Sequence, residues 1–369
     1  MKVVLTLYGA SGYSGLPKYF YFLAKHLEMN GVETEVIVDS PDRVAKLREV
    51  NQLSKVTVIS PPVMGMLSKA LFSLNIARYL ANKDFDILHS CDVIPYFYLM
   101  LKKRKPVVFQ PFSSELFQLG DNDIRRFFYP VLRYCGQKSD ALAAVGEWQL
   151  DKVLSDYKVR KSKTFVLPVC IDIDFMRSLA GTRRDIRARL GVPDNRFVIL
   201  SVNILLPCKD IGSLIQAMEH LPEATLFVVS DGPEMSNLRK LTCEAGLQDR
   251  VVFAGRVPER ELYDYYAMAD VFVSPTLLDG SSMGIMEAEV FRLPIISTHQ
   301  EFLINGNGYI VPERDPKAIA EAVEKVRNGD RAIMGIRSRE IVSQYDFKVV
   351  AKTAIAKYKE LLRCACYRL

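Results

Sequence analysis

The sequence predicts an α/β protein made of two doubly wound domains. Three observations predict it. Short, β-branched apolar runs alternate with amphipathic stretches along most of the chain. The alternation lapses at residues 176–196 and then restarts. A length of 369 residues exceeds that of an ordinary single domain. Strands that alternate with helices form parallel sheets covered on both faces, so the lapse reads as a boundary between two sheets.

In the first half, strand-like runs fall at residues 3–7, 35–38, 56–59, 87–89, 107–110, 141–145 and 164–167. Helical patterns lie between them at 16–29, 67–81 and 146–156, with a further amphipathic stretch at 121–138. Residues 176–196 are charged and polar, carry Gly181, Arg183, Arg184 and Pro193, and read as a connector with a short helix. Strands resume at 197–202, 225–229, 251–253, 271–273, 295–297 and 309–311, with helices at 210–219, 234–245, 259–268, 282–291 and 316–327. Residues 347–362 form a closing amphipathic helix with no strand after it. The expected domains are therefore 1–175 and 176–345, followed by a terminal segment, 346–369.

Composition narrows the class. Hydrophobic residues make up 49% and charged residues 25%, which excludes disordered, collagen-like and low-complexity architectures. No apolar run reaches the roughly 18–20 residues needed to span a bilayer. The stretch at residues 1–10 reads as a buried strand, because its apolar core is short for a signal peptide and a glycine-rich loop follows. Seven cysteines without framework spacing suit reduced thiols, and so a cytoplasmic location. The four histidines, His26, His89, His220 and His299, make no His-x-x-x-His, and no Cys-x-x-Cys occurs, so no zinc site is expected. Net charge is +6; residues 1–175 hold 23 basic and 18 acidic side chains against 26 and 25 in the remainder. That bias suits an anionic partner or a solvated surface, and no nucleic-acid partner is expected.

Ligands of parallel sheets bind beyond the carboxyl ends of the strands, here in a cleft between the domains. The loop Gly9-Ala10-Ser11-Gly12-Tyr13-Ser14-Gly15 follows the first strand, but its spacing is not Gly-x-Gly-x-x-Gly; it reads either as a cleft lining or as a tight turn. His89 ends a strand, the position of a polar cleft residue or of a satisfied structural histidine. Asp84-Phe85-Asp86 precedes a strand, and Asp172-Ile173-Asp174 lacks a third ligand nearby, so neither triplet reads as a metal site. Lys209 stands at a strand-to-helix junction, with Asp210 as the expected helix cap, and can set its ammonium against a phosphate. The strongest segment is residues 274–288. A strand leads into Asp279 and Gly280, Ser281 or Ser282 caps a helix, Gly280 and Gly284 keep its start open, and Glu287 follows about one turn in. A glycosidase acid pair fits this segment poorly, because an anion-binding helix start does not favour a protonated acid.

Together these residues resemble the retaining glycosyltransferases of family 4, whose fold is GT-B. Their Glu-x7-Glu signature reads Asp279-x7-Glu287 here. Residues 249–258 resemble the family's strand and turn beside the nucleotide base, and Val228-Val229-Ser230-Asp231-Gly232-Pro233 resembles its Val-Gly-Asp-Gly-Pro loop. Leu293-Pro294-Ile295-Ile296 and Asn307-Gly308-Tyr309 match later landmarks. The likeness is specific over 197–345 and looser over 1–170. It implies two Rossmann-like domains facing across a cleft, with the closing helix packed back on the first.

The resemblance implies that Lys209, Asp279, Glu287 and His89 form the catalytic set. It implies a donor site of Gly12, Asn203, Asp231, Gly232, Arg256, Val257, Gly280, Ser281, Ser282, Met283 and Gly284. It further implies a nucleotide-diphosphate sugar donor, a glycan or lipid-linked acceptor, no metal or other cofactor, and, with the basic first half, peripheral membrane contact. The departures are Asn203-Ile204 in place of Gly-Arg, Asp279 in place of Glu, Ser230 in place of Gly, Phe112 in place of His, and Val169-Cys170 in place of Asn-Gly. They leave two alternatives beside an active hexosyltransferase: a non-catalytic GT-B subunit and a sugar-nucleotide epimerase.

Overall fold

The protein is represented by a computed structural model that describes residues 1–7, 15–40, 55–60, 66–91, 94–101, 105–111, 129–277, 283–298 and 306–366. It divides into two compact units, Met1–Ile171 with Tyr345–Leu369, and Asp172–Gln344.

The first unit holds strands β1 (Lys2–Thr6), β2 (Glu33–Val38), β3 (Val56–Val58), β4 (Ile87–Ser90), β5 (Val107–Phe109), β6 (Ala141–Ala144) and β7 (Thr164–Val166). They pair in parallel in the order β3-β2-β1-β4-β5-β6-β7. Its helices are α1 (Gly15–Met29), α2 (Met66–Leu80), α3 (Tyr96–Met100), α4 (Tyr129–Lys138) and α5 (Glu147–Tyr157). The central strands are buried on both faces, as their unbroken apolar runs require.

The second unit opens with α6 (Ile173–Leu179) and α7 (Arg183–Arg189). Strands β8 (Phe197–Val202), β9 (Ala224–Val229), β10 (Val251–Gly255), β11 (Val271–Ser274), β12 (Ile295–Ser297) and β13 (Gly308–Ile310) follow. Their order is β10-β9-β8-β11-β12-β13, parallel throughout. Helices α8 (Ile211–Ala217), α9 (Met235–Glu244), α10 (Glu259–Met268), α11 (Met283–Val290), α12 (Pro316–Asn328) and α13 (Arg331–Ser343) cover the sheet. Helix α12 shows why its residues fold so: the Asp315 carboxylate caps the Ala318 amide, Pro316 fills the first turn, and Ile319, Val323 and Val326 form the buried stripe.

The last helix, α14 (Phe347–Cys366), belongs to the first unit. The Phe347 ring stacks on His26 at 5.5 Å and meets Phe22 at 5.2 Å, both on α1. The Tyr358 hydroxyl lies 2.6 Å from Nδ1 of His89.

The α/β, GT-B-type reading holds, and each expected strand is present. The short helices α3 and α6 and the longer α13 differ from expectation. Helix α3 has five apolar residues and no polar face, so it shows no period. In α13, Ile333 and Ile336 are exposed while Gly335 and Ser338 are buried, which scrambles the amphipathic pattern. Among the described residues no helix is long and apolar enough to cross a membrane.

Candidate functional site

The order of the second sheet reverses between β8 and β11, which pair directly. Loops leaving two such strands run to opposite sides and open a crevice at their carboxyl ends. The loop after β8 runs from Asn203 to Asp210, and the segment after β11 leads to α11.

Backbone bonds draw the neighbouring loops together at this end. The Leu205 amide donates to the Asp231 carbonyl at 3.1 Å, and the Glu234 amide to the Leu205 carbonyl at 3.1 Å. The Ser230 amide donates to the Gly255 carbonyl at 2.9 Å, which brings the turn before Arg256 and Val257 alongside. The Cys208 carbonyl accepts from the Leu277 amide at 2.8 Å and from the Thr276 hydroxyl at 3.2 Å. Lys209 closes a 3₁₀ turn (Pro207–Lys209) and is thus held between the β8 and β11 loops. A Cβ at position 232 would lie 2.7 Å from the Leu205 amide nitrogen, so only glycine allows this approach. The Asp231 carboxylate accepts from the Gly232 amide at 2.7 Å. Asn203 donates to the Ser201 hydroxyl at 3.3 Å.

Asp210 departs from its expected role. It stands at the N-cap of α8, but its backbone is left-handed, with φ 46°, and its side chain makes no capping bond. Ser230 carries a larger strain, with φ 133°, where the family's glycine would be relaxed. Such a backbone costs a non-glycine residue about 1–3 kcal/mol. Ser230→Gly is therefore expected to raise the melting temperature of the second unit by several degrees; calorimetry checks it, and an unchanged or lower value would refute the strain.

Helix α11 forms the opposite wall. A Cβ on Gly284 would stand 3.0 Å from the Val202 carbonyl oxygen and 3.2 Å from the Phe272 ring, so the first turn sits tightly on the end of β8. Met283 is half-buried beside it. Glu287 is 6% exposed, and its Oε2 accepts a 2.8 Å hydrogen bond from the Tyr266 hydroxyl on α10. Burial, and then the nearby Glu287 carboxylate, push the Tyr266 phenol well above its ordinary range, so it stays a donor.

Two positions along α11, Glu289 points into the core. It is fully buried, its Oε1 accepts from Asn307 at 3.2 Å, and among the described residues its Oε2 has no hydrogen-bond partner. Burial pushes its carboxyl well above the ordinary range, because desolvation penalises the charged form. An acid raised in the folded state favours folding below its unfolded value, about 4.3, and loses that advantage as pH rises towards the folded value. Glu289→Gln, which keeps the acceptor for Asn307, should stabilise the protein more at pH 8 than at pH 5. Melting curves at both values check this; equal shifts would contradict it.

The structure thus gathers Lys209, Asn203, Asp231, Gly232, Met283, Gly284 and Glu287, with the strand leading to Arg256 and Val257, at one end of one sheet. Gly12, Asp279, Gly280, Ser281 and Ser282 lie outside the described residues, as do Phe112 and residues 121–128 of the amphipathic stretch 121–138.

His89 requires correction. It is completely buried in the first unit, and burial holds its pKa down at about 4. The Gln110 amide donates to the Leu167 carbonyl at 2.8 Å, so its Oε1 accepts from Nε2 of His89 at 2.9 Å, and Nδ1 accepts from Tyr358. Nε2 ties His89 to the end of β5 and Nδ1 ties it to α14, which makes it a neutral structural histidine rather than a catalytic one.

The Asp-x-Asp pairs serve locally: Asp86 accepts from the Lys2 amide, and Asp172 caps α6. Among the described residues no group of three or more His, Cys, Asp or Glu is placed to hold a metal ion. On α4, Leu132 is buried, and Nε of Arg133 donates to the Asp156 carbonyl at 2.9 Å, so both serve packing of the first unit. Sequence reasoning missed Tyr266 and Glu289, because no period or motif separates either from its neighbours.

The sheet order and the loops gathered at its switch point define a doubly wound α/β unit with a crevice at the carboxyl ends of its strands. Solved structures share the whole fold. Anabaena HepE in complex with UDP superposes with a TM-score of 0.81 at 18% identity, covering 98% of this chain and 100% of that one. Sucrose-phosphate synthase from Thermosynechococcus elongatus gives 0.80 at 20%, covering 98% and 99%. Residues 13–175 match Glycosyltransferase Family 4, and residues 182–344 match Glycosyl transferases group 1. The chain belongs to glycosyltransferase family 4.

Among its relatives is the GDP-mannose-dependent alpha-(1-6)-phosphatidylinositol monomannoside mannosyltransferase of Mycobacterium tuberculosis. It is 29% identical over 252 residues, covering 63% of this chain and 64% of that protein, so the match spans less than two thirds of the relative. An uncharacterized glycosyltransferase of Methanocaldococcus jannaschii is 26% identical over 370 residues and 94% of each chain.

Proposed function

We propose that this protein transfers a hexosyl group from a nucleoside-diphosphate sugar to a hydroxyl of a glycan or lipid-linked acceptor, with retention of configuration and without a metal. The observation that carries this reading is the set of backbone bonds that gathers the β8, β9, β10 and β11 loops around Lys209, opposite Glu287. Lys209 offsets charge on the departing diphosphate, and the start of α11 offers amides to the same group. Glu287 accepts from the ribose hydroxyls. The acceptor attacks from the face the diphosphate leaves, so no protein nucleophile is needed. A lipid-linked acceptor is favoured by the phosphatidylinositol monomannoside named for the mycobacterial relative.

One observation favours a second reading, a non-catalytic subunit that binds a partner transferase or a glycan. Ile204, which stands where the family carries arginine, is 57% exposed, so one positive charge beside the diphosphate is replaced by an open apolar side chain. Incubation with a panel of UDP- and GDP-sugars separates the readings. Release of nucleoside diphosphate, undiminished by EDTA, is the expected result, with the product anomer read by NMR. Loss of activity in EDTA with recovery in manganese would end the metal-free mechanism. Isomerised sugar would indicate an epimerase, and no donor binding would indicate the subunit.

A further inference from the structure

We infer that Tyr266 is a positioning residue for nucleoside recognition, setting the orientation of the Glu287 carboxylate from beneath α11. This rests on the proposed role of Glu287 at the ribose. The hydroxyl of Tyr266 lies 2.8 Å from Oε2 of Glu287 and 3.6 Å from where a Cβ on Gly284 would stand, so it occupies the space under the first turn of α11. The ring has no freedom of its own: it is fully buried, stacked on Phe291 at 5.8 Å and 7°, and on Phe272 at 5.8 Å and 30°. Phe272 belongs to β11, and so the carboxylate is referenced to the central sheet rather than to its own helix alone.

The chemistry follows from this arrangement. A carboxylate on a single helical side chain has rotatable bonds to its headgroup and can turn its oxygens away from a diol. A rigid phenol that donates to Oε2 fixes the plane of the group and takes one of its lone pairs. The carboxylate is then presented in a single orientation to two adjacent hydroxyls, and the entropy of ordering it is met in the free protein rather than on binding. The effect is confined to the ribose end of the ligand, because Lys209 is held separately, through Cys208, on the β8 and β11 loops.

The test uses the full chain and isothermal titration with UDP and GDP, their 2′,3′-dideoxy forms, and inorganic pyrophosphate. The wild type is expected to prefer the ribose-containing ligand of its cognate base over the dideoxy form. Tyr266→Phe keeps both ring stacks and removes only the donor. It should weaken the ribose ligand about tenfold, bring the ribose-to-dideoxy ratio close to one, and leave pyrophosphate affinity unchanged. Glu287→Gln should lower the same ratio, and adding Tyr266→Phe to it should lower the ratio little further. A purely structural tyrosine would weaken ribose and dideoxy ligands by the same factor, and that result overturns the inference while leaving the proposed function standing. The inference is likewise overturned if Glu287→Gln keeps full discrimination, a measurement that does not depend on how well Tyr266→Phe folds. A folded wild type that binds neither UDP nor GDP overturns the proposed function and this inference with it.

Discussion

Asp270→Ala is expected to destabilise the second unit by about 3–5 kcal/mol, a fall in melting temperature of roughly 6–20 °C for a unit of this size. The carboxylate is 9% exposed and accepts four bonds: from Arg183 at 2.7 Å and Arg331 at 2.6 Å on Oδ1, and from Arg187 at 2.8 Å and the Val198 amide at 2.9 Å on Oδ2. Arg187 is 1% exposed and also donates to the carbonyls of Pro193, Asp194, Arg196 and Met268. Burial, and then repulsion from Arg183, pull that guanidinium below its ordinary value, so Asp270 is the charge that makes it tolerable inside. Removing Asp270 leaves a buried cation without its counter-charge and the Val198 amide of the central strand β8 without its acceptor. Asp270→Asn keeps an acceptor for Val198 but loses the charge, and should fall between wild type and Asp270→Ala. Calorimetry with donor titration checks this; a shift under about 2 °C for the alanine variant, well below the range above, would show that the network adds nothing to stability.

The second large effect concerns ligand affinity. With the donor seated as proposed, Lys209→Ala should weaken nucleoside-diphosphate binding about 10- to 100-fold, the loss of one charge-assisted contact, while barely changing affinity for the nucleoside. Glu287→Ala should weaken both ligands by similar factors, because both carry the ribose. The two substitutions act at different ends of the ligand, so their effects should add. Titrations of wild type, single and double variants with UDP, GDP, uridine and guanosine measure the split. A Lys209→Ala protein that is folded and binds diphosphate as well as wild type would remove its assigned role.

The sequence by itself determined the two-sheet α/β architecture and the loops that carry the candidate site. The reason is local: β8 is a continuous run of Phe197, Val198, Ile199 and Leu200, buried on both faces, and α12 announces itself through Asp315, Pro316 and its apolar stripe. Lys209 was legible from its place at a strand-to-helix junction, where parallel sheets hold ligands, and Asp231 and Glu287 from the family motifs they resemble.

What only the tertiary structure decided is how each polar side chain is satisfied. His89 sits at the end of a strand just as a site residue would; only packing of Tyr358 from a helix 269 positions away makes it structural. Tyr266 looks like any aromatic residue of an amphipathic helix until α11 sets Glu287 over its hydroxyl. Asp270 is one more acid before a strand until three arginines from two helices close on it. Glu289 carries the same charge on paper as Glu287, yet two positions along one helix turn one towards Tyr266 and the other towards the core. Hydrophobic periodicity is written between neighbours in sequence. Desolvation and hydrogen bonding depend on groups brought together over long separations, and those exist only once the chain has folded.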